Sequence, residues 1–267
     1  MTAFEFLEGL AAITAGLSLA MTFAFAVQQC TGNSGWIDTT WTFGLGAVGL
    51  AVSLPIDGSG WHARQIITAA FSVCWALRLG GHIAGRSTGI KDDPRYAKLI
   101  RQWGRDAKRQ MFLLCQKQAA VSIPLALAIY LAARNPAPAI RIQDWIAVAI
   151  LLIALGGEAL ADHQLKTFKA EPKNKGKVNN IGLWSWSRHP NYFFEWLGWL
   201  AFPLLAIDAG GIFPWGYAAL SAPACMFWLL NYVSGVPPLE EHMLKTRGKA
   251  FRAYQRRTNA FFPAPPH

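Results

Sequence analysis

Seven long runs with almost no charge are the feature of this sequence that most constrains its fold. Each run is close to the ~20 residues that a helix needs to cross the hydrocarbon core of a bilayer. Only 15% of the 267 residues are charged and 53% are hydrophobic, whereas a soluble domain carries about 25% charged residues. The runs lie at residues 6–27, 40–56, 65–83, 111–133, 142–161, 192–207 and 212–233. They predict an all-α, polytopic membrane protein of seven spans, forming a single integral membrane domain over residues 1–267.

Aromatic and small residues favour this interpretation over a soluble helical protein. The helices of a soluble bundle need polar faces, which these runs lack. Their glycine and alanine content is typical of spans that pack against one another. Tryptophans near the predicted span ends resemble an interfacial belt. They are Trp36, Trp41, Trp61, Trp103, Trp145, Trp184, Trp186 and Trp215.

Lysine and arginine predict the orientation of the chain. Segments 85–111, 163–191 and 234–267 hold eight, six and six of the 25 basic residues. With seven spans these segments share one side, which the positive-inside rule assigns to the cytoplasm. The N-terminus is then outside, and the tail 234–267 forms a short cytoplasmic amphipathic helix. Residues 6–27 lack a basic flank and a clear cleavage site, which indicates a retained span rather than a signal peptide.

The net charge of +10 has two explanations that the sequence leaves open. Topology and anionic lipid headgroups both call for basic loops, but a pocket for a multiply charged anionic cofactor also gathers cations. We expect membrane lipids as partners and no nucleic acid. The four cysteines are scattered without a CxxC pair, so neither a metal site nor a disulfide framework is indicated.

Ionisable residues within the predicted spans are functional candidates, since each costs about 2.5–3.5 kcal/mol at the bilayer centre. Glu158 and Asp162 lie four residues apart near the end of the fifth run, on one helix face. Lys166 and Lys169 continue that face by one and two turns. The pattern fits either an ion-pair stripe that locks two spans together or a binding site.

A second polar group opens the sixth run. Pro190 suits the first turn of a helix, which places Arg188 and His189 beside the positive end of the helix dipole, a natural anion site. Asn191 and Glu195 are one turn apart and face the same way. A carboxylate at that depth needs a partner, either a basic side chain from a neighbouring loop or a ligand hydroxyl.

The N-terminal half offers further polar residues and one misleading motif. Asp38 precedes the second run, and Arg78 lies in the third, three residues after Trp75. Whether Asp38 and Arg78 pair with each other or line a cavity is left open. Residues 44–49 fit the dinucleotide fingerprint GxGxxG, but no strand precedes them. We therefore interpret these glycines as a helix-packing surface.

Four motifs resemble the steroid 5α-reductase family, and in particular its bacterial branch of unknown function. They are Trp36-Ile37-Asp38 with Trp41, Trp75-Ala76-Leu77-Arg78-Leu79, Asp93-Pro94-Arg95-Tyr96 and Ser187-Arg188-His189-Pro190-Asn191-Tyr192. Residues 158–263 resemble the C-terminal half of the reductases. The Arg-His-Pro element and the Glu-Glu…Gly…Tyr tail are shared with isoprenylcysteine and phospholipid methyltransferases.

The resemblance implies a seven-span fold that binds NADPH in a cavity opening to the cytoplasm of a bacterial inner-membrane protein. The cofactor contacts it implies are Glu158, Asp162, Lys166, Lys169, Arg188, His189, Asn191, Glu195, Tyr254 and Arg257. Lysines occupy positions 166 and 169, where the reductases carry arginines. A lysine would contact a phosphate as a point charge, whereas an arginine donates two parallel hydrogen bonds.

The implied reaction is hydride transfer to the C=C bond of a hydrophobic enone or a steroid- or isoprenoid-like lipid that enters from the bilayer. This is an oxidoreductase reaction on a CH–CH group. The family's Gln-Glu pair and tyrosine, which hold the keto oxygen, align with Asp38 and Trp75 here, and the third run has no tyrosine. We expect Asp38, kept protonated by burial, to polarise the carbonyl, with Trp75 as a second donor and Arg78 nearby.

Two other functions stay open on the sequence. An S-adenosylmethionine-dependent methyltransferase of lipids or isoprenylcysteine has the same architecture, but it has less use for a cluster of cations and buried acids. A non-catalytic lipid-binding protein would tolerate the loss of Asp162 or Glu195. A transporter is disfavoured because the two halves show no internal repeat.

Overall fold

The computed structural model describes residues 1–54 and 61–266, and most of these residues are helical. Its α-helices are α1 (Ala3–Thr31), α2 (Gly35–Ser53), α3 (His62–Thr88), α4 (Pro94–Trp103), α5 (Ala107–Arg134), α6 (Ile142–Ala170), α7 (Leu183–Trp186), α8 (Pro190–Trp199), α9 (Ala201–Ala206), α10 (Ser221–Trp228) and α11 (Val236–Arg257). Within the described residues there is no β-strand, only an isolated parallel bridge between Ser187 and Asn259. The predicted all-α class is confirmed.

Among the residues that the structure describes, five helical stretches are long and apolar enough to cross a membrane. They are Ala3–Thr31, His62–Thr88, Pro94–Arg134, Ile142–Ala170 and Pro214–Arg257. Four of the predicted runs, 6–27, 65–83, 111–133 and 142–161, lie within these stretches, and the run 212–233 overlaps the last stretch except for its first two residues. The protein is therefore a polytopic helical membrane protein.

The count of seven spans stays a prediction. The run 40–56 falls mostly on α2, which has 19 residues, and its last two residues lie outside the described part of the chain. The run 192–207 is divided between α8 and α9. Pro203 has no N–H to donate to the carbonyl of Trp199, and this weakens the helix at that point.

The last stretch turns sharply after its apolar part. The apolar part ends in a π-helical turn, Leu229–Val233. Gly235 then lies so close to the Leu230 carbonyl that a Cβ added to the glycine would be 2.4 Å from the oxygen. Charged residues dominate α11, which follows this corner. We therefore place α11 outside the membrane-spanning segment.

The chain divides into two compact units. Unit 1 comprises Met1–Asp144 and Phe202–Ser221, and unit 2 comprises Trp145–Ala201 and Ala222–His267. The expectation of a single membrane domain stays a prediction.

Unit 1 is built on close contacts among α1, α2, α3 and α5. A Cβ on Gly46 would lie 2.3 Å from the Cβ of Ala76, and one on Gly44 would lie 2.7 Å from that of Ala20. Helices approach this closely only where side chains are small. The interpretation of the glycine run as a packing surface is confirmed.

Loops fasten the two ends of unit 1. At one end, the Asn33 amide donates to the carbonyl of Ser87 (2.9 Å), and the Ser34 N–H donates to Asp92 (2.8 Å). This end therefore holds the α1–α2 and α3–α4 connections. At the other end, Arg64 and Asp144 form an ion pair in which neither side chain is exposed.

Unit 2 is organised around α6 and an aromatic cluster. The Trp184 indole donates to the carbonyl of Ala161 on α6 (3.0 Å), and the Leu183 N–H donates to the Gln164 side chain (3.0 Å), so α7 is docked on α6. The aromatic cluster consists of Phe193, Phe194, Trp196, Phe227, Phe261 and Phe262.

Candidate functional site

The Arg-His-Pro motif in unit 2 is held extended by the C-terminal segment. The Arg188 N–H donates to the Asn259 carbonyl (2.8 Å), and the Ala264 N–H donates to the Trp186 carbonyl (3.0 Å). The Ser187 hydroxyl donates to the Phe261 carbonyl (2.9 Å). Residues 259–264 thus supply the hydrogen bonds that a loop before a helix would otherwise find in water.

Glu240 of α11 joins the two charged residues of that motif. Its Oε1 accepts from the Arg188 Nε (2.7 Å) and the His189 Nε2 (3.0 Å), and its Oε2 accepts from the Gln255 side chain (2.7 Å). The Arg188 guanidinium also donates to the carbonyl of Thr258 (2.6 Å). The Arg-His-Pro and Glu-Glu elements, separated by some fifty residues, therefore form one polar cluster.

The electrostatics of this cluster set the protonation of both partners. Burial opposes the charged form of Glu240, but the bonds from His189 and Arg188 outweigh it and lower its pKa to about 2. Burial lowers the pKa of His189 and outweighs the effect of Glu240. A carboxylate only accepts, so the neutral imidazole donates through Nε2 and leaves Nδ1 as an acceptor. Among the described residues, this buried Nδ1 has no hydrogen-bond partner.

Helices α6 and α8 bring a second set of predicted residues together. The Asn191 amide donates to the Asp162 carboxylate at 3.4 Å. One helical turn away on the respective helices lie Glu158 and Glu195, which are 5% and 8% exposed. The Trp199 indole donates to Glu195 (2.8 Å). The acids and Asn191, which the family resemblance grouped as cofactor contacts, thus lie close together in unit 2 as a polar patch between α6 and α8, in which Glu158 and Glu195 are buried and Asp162 and Asn191 are half-buried.

A glycine at position 157 allows α6 and α8 to approach each other this closely. A Cβ on Gly157 would lie 2.4 Å from the ring of Phe194. Lys166 and Lys169 follow on α6 and are exposed. The helix therefore runs from buried acids to exposed cations within three turns, as the sequence predicted.

Tyr254 and Arg257 lie on α11 beside a small cavity of about 140 Å³. The Tyr254 hydroxyl donates to the carbonyl of Trp184 and so ties α11 to α7, while Arg257 is exposed. The cavity is lined by Asn180, Ser185, Tyr254, Arg257, Thr258 and Pro266. Its amide, hydroxyl and guanidinium groups are the kinds of donor that bind phosphate or ribose oxygens.

Asp38 in unit 1 is the centre of a separate polar cluster. Its Oδ2 accepts from the Arg95 guanidinium (2.6 Å), and its Oδ1 accepts from the Tyr96 hydroxyl (2.7 Å). The Gln118 amide in turn donates to the Tyr96 oxygen (3.0 Å). In this arrangement both carboxylate oxygens are acceptors, and the proton-bearing group of the cluster is the Tyr96 phenol.

The other predicted catalytic residues lie on α3 of the same unit. Trp75 is 3% exposed, and its ring packs edge-on against Trp41 at 6.1 Å. The Trp41 indole donates to the Ser122 hydroxyl (2.7 Å). Arg78 is half-buried one turn after Trp75. Catalytic roles for Asp38, Trp75 and Arg78 stay predictions.

Tyr96 and Gln118 were not among the residues predicted for the site. The Asp93-Pro94-Arg95-Tyr96 motif could have indicated Tyr96, because it marks the start of a helix. Asp93 caps α4 by accepting from the Arg95 N–H, and Pro94 fixes the first turn. A tyrosine two residues into a capped amphipathic helix faces the protein rather than water. Gln118 sits within an apolar run and carries no comparable signal.

Comparison with known proteins gives a family without an assigned activity. The family described as "Protein of unknown function (DUF1295)" matches residues 24–258. "Uncharacterized protein C594.04c" of Schizosaccharomyces pombe is 32% identical over 139 residues, which are 45% of this chain and 39% of that protein. The chain thus matches about two fifths of the length of this relative. No solved structure matches the chain.

Proposed function

Because the chain belongs to the family described as "Protein of unknown function (DUF1295)", whose name states no activity, we propose its function from its own residues. We propose an NADPH-dependent membrane reductase that reduces the C=C bond of a hydrophobic enone, of steroid- or isoprenoid-like lipid character. The observation that carries this proposal is the pairing of Asp162 with Asn191 across α6 and α8.

The donor set of unit 2 fits a phosphorylated dinucleotide. Arg188, Lys166 and Lys169 are cations suited to phosphates, and the half-buried pair of Asp162 and Asn191 suits ribose hydroxyls or a carboxamide. The partnerless Nδ1 of His189 is a buried acceptor for an N–H or O–H of a ligand. When bound there, NADPH supplies the hydride.

The proposed reaction also needs a group that stabilises the charge developing on the substrate. Reduction of an enone adds a hydride at the β-carbon and a proton at the α-carbon, and the carbonyl oxygen gains negative charge between the two steps. A hydroxyl aimed at that oxygen stabilises the charge. Tyr96 has such a hydroxyl, and its single proton is donated to Asp38 at 2.7 Å in the structure. In the proposal the phenol turns this proton to the carbonyl oxygen when the substrate binds. The role expected for Asp38 as an acid thus passes to Tyr96, with Asp38 as its positioning residue.

A methyltransferase is the second candidate, and the Glu240 cluster favours it. Arg188 and His189 both bind Glu240, so the two elements shared with isoprenylcysteine-type methyltransferases form one cluster. Such an enzyme would use S-adenosylmethionine and has no need of the Asp38–Tyr96 pair.

Thermal stability of the detergent-purified protein with NADPH, NADH and S-adenosylmethionine separates the candidates. A ligand that binds only the folded state stabilises it by about 2.7 kcal/mol at 100 times its dissociation constant. We expect NADPH to stabilise the protein and Asn191→Leu to abolish the effect. Thr167→Ala, at an exposed position of α6, is the control that keeps it.

Two other outcomes would support a different function. Stabilisation by S-adenosylmethionine alone would refute the reductase and support the methyltransferase. No response to any of the three, together with unchanged behaviour of Asp162→Asn and Glu195→Gln, would support a non-catalytic lipid-binding protein.

A further inference from the structure

One end of unit 1 carries a row of exposed cations on α4 and the first turn of α5. We call this row the basic ridge, and it consists of Lys98, Arg101, Arg105, Lys108 and Arg109. Between residues 94 and 111 the only acidic residue is Asp106. In the described part of the chain, none of the five ridge residues has an ion pair or a side-chain hydrogen bond.

Two ridge residues are unfavourably placed for helix stability. Lys108 and Arg109 lie in the first turn of α5, where the positive end of the helix dipole repels cations, whereas Arg101 lies in the last turn of α4, where a cation is favoured. Repulsion among five neighbouring cations adds to the cost. Fold stability therefore does not account for Lys108 and Arg109, and a negatively charged partner does.

Helix α4 has two different faces. Tyr96 is 5% exposed and bonded to Asp38, with Ile100 and Trp103 half-buried on the same side. Lys98 and Arg101 project from the opposite side and are exposed. The apolar face is thus occupied by the protein itself, and the basic face is left for another molecule.

We propose that the basic ridge binds the phosphate headgroups of anionic phospholipids in the adjacent leaflet. The ridge ends two residues before Met111, where the apolar part of α5 begins, so it stands at headgroup depth. At this depth each cation strengthens the binding of anionic lipids by about fivefold. Five exposed side chains spread along a helix suit an array of headgroups better than a single soluble nucleotide.

Lipid binding at the ridge also bears on the Asp38 cluster. Arg95 and Tyr96 lie on α4, and both bind Asp38. Headgroups bound along the outer face of α4 hold that helix over the carboxylate. The ridge itself needs no NADPH, so its test is independent of the proposed reductase.

The test measures the association of spin-labelled phosphatidylglycerol, relative to phosphatidylcholine, with the full chain in phosphatidylcholine vesicles. We expect a ratio above about ten, and a roughly tenfold or larger fall, toward a ratio of one, in the triple variant Lys98→Gln, Arg101→Gln, Arg105→Gln. The matched control is Lys173→Gln, Lys175→Gln, Lys177→Gln, which removes the same charge from an exposed loop of unit 2 and is expected to keep the ratio.

Three results would overturn the proposal. They are an unchanged ratio in the ridge variant, an equal fall in both triple variants, and loss of the preference on adding inorganic phosphate at constant ionic strength, which indicates a small-anion site. If the triple variant fails to fold, Arg101→Gln and Arg105→Gln singly are each expected to lower the ratio by roughly two- to fivefold.

Discussion

The guanidinium of Arg64 and the carboxylate of Asp144 form an ion pair of 2.9 Å in which neither side chain is exposed. The remaining N–H groups of Arg64 donate to the carbonyls of residues 135, 137 and 139. Arg141 binds the same carboxylate at 2.7 Å. A single arginine thus uses its five donors to fasten the α5–α6 connection to α3.

Asp144→Ala is expected to destabilise the protein by about 3–5 kcal/mol, because it leaves a buried guanidinium without its carboxylate. Asp144→Asn, which keeps one acceptor oxygen, should lose less. Chemical unfolding in detergent measures both. Asp106→Asn changes an exposed carboxylate at the other end of unit 1 and should stay within about 0.5 kcal/mol. Equal losses at 106 and 144 would contradict the importance of the buried pair.

Gly157→Ala is expected to lower stability by about 1–3 kcal/mol, since its new methyl group would overlap the ring of Phe194. Gly156→Ala is the matched control. Its Cβ meets open space, so the substitution should be neutral or stabilise by up to about 1 kcal/mol. Thermal unfolding reports the difference, and the double variant Gly157→Ala with Phe194→Leu should recover part of the loss. Identical behaviour of the two alanine variants would argue against the close contact.

Stability is expected to fall as the pH is lowered below about 6.5. The pKa of His189 is lowered from 6.5 in the folded protein, so protons bind the unfolded chain more readily once the pH drops below that value. Glu240 has its pKa lowered from 4.5 to about 2. Its contribution is present above pH 4.5 and is lost as the pH falls through that range.

Glu240→Gln should remove the acid-side part of this dependence, worth roughly 2–3 kcal/mol at neutral pH. The midpoint of thermal unfolding across pH 2–8 is the measurement. Glu241→Gln is the adjacent control, because Glu241 is exposed and forms its ion pair with Lys245, one turn further along its own helix. An exposed pair contributes little. A pH profile of Glu240→Gln that matches the unchanged protein would refute the role of the cluster.

Tyr96→Phe is expected to cost about 1–3 kcal/mol of stability, because the Asp38 carboxylate and the Gln118 amide each lose a partner. If Tyr96 is the proton donor of the proposed reductase, turnover should also fall by about 10²-fold or more at saturating NADPH. Tyr232→Phe, at a side chain that is 67% exposed, is the control. Unchanged turnover with reduced stability would leave Tyr96 a structural role only.

The fold class followed from the sequence because apolar length is a local property. The uncharged runs at 6–27, 65–83 and 142–161 need no knowledge of neighbours to be identified as helices that enter a membrane. The run 192–207 was harder to interpret, since composition alone does not show where a helix divides at a proline such as Pro203.

The sequence predicted the site only in part, because contacts between distant segments are not a local property of the sequence. Helical periodicity paired Glu158 with Asp162 and Asn191 with Glu195, whereas the family resemblance alone implied that Asp162 and Asn191 belong to one site. Asp38 was singled out, but its partners Arg95 and Tyr96 lie almost sixty residues away, and no helical spacing connects them. The same holds for Glu240, whose bonds to Arg188 and His189 depend on how α11 folds back.

The bonds that fasten the Arg-His-Pro motif also impose an order on biosynthesis. Arg188 has all its hydrogen bonds only when the carbonyls of Thr258 and Asn259 are available. The carbonyl of Trp186 likewise accepts from the N–H of Ala264. Residues 258–264 follow α11 in the sequence, so the ribosome makes them after every helix named above. The hydrogen bonds from the motif to these residues can therefore form only after those helices have been synthesised, and a chain interrupted before residue 258 would lack them.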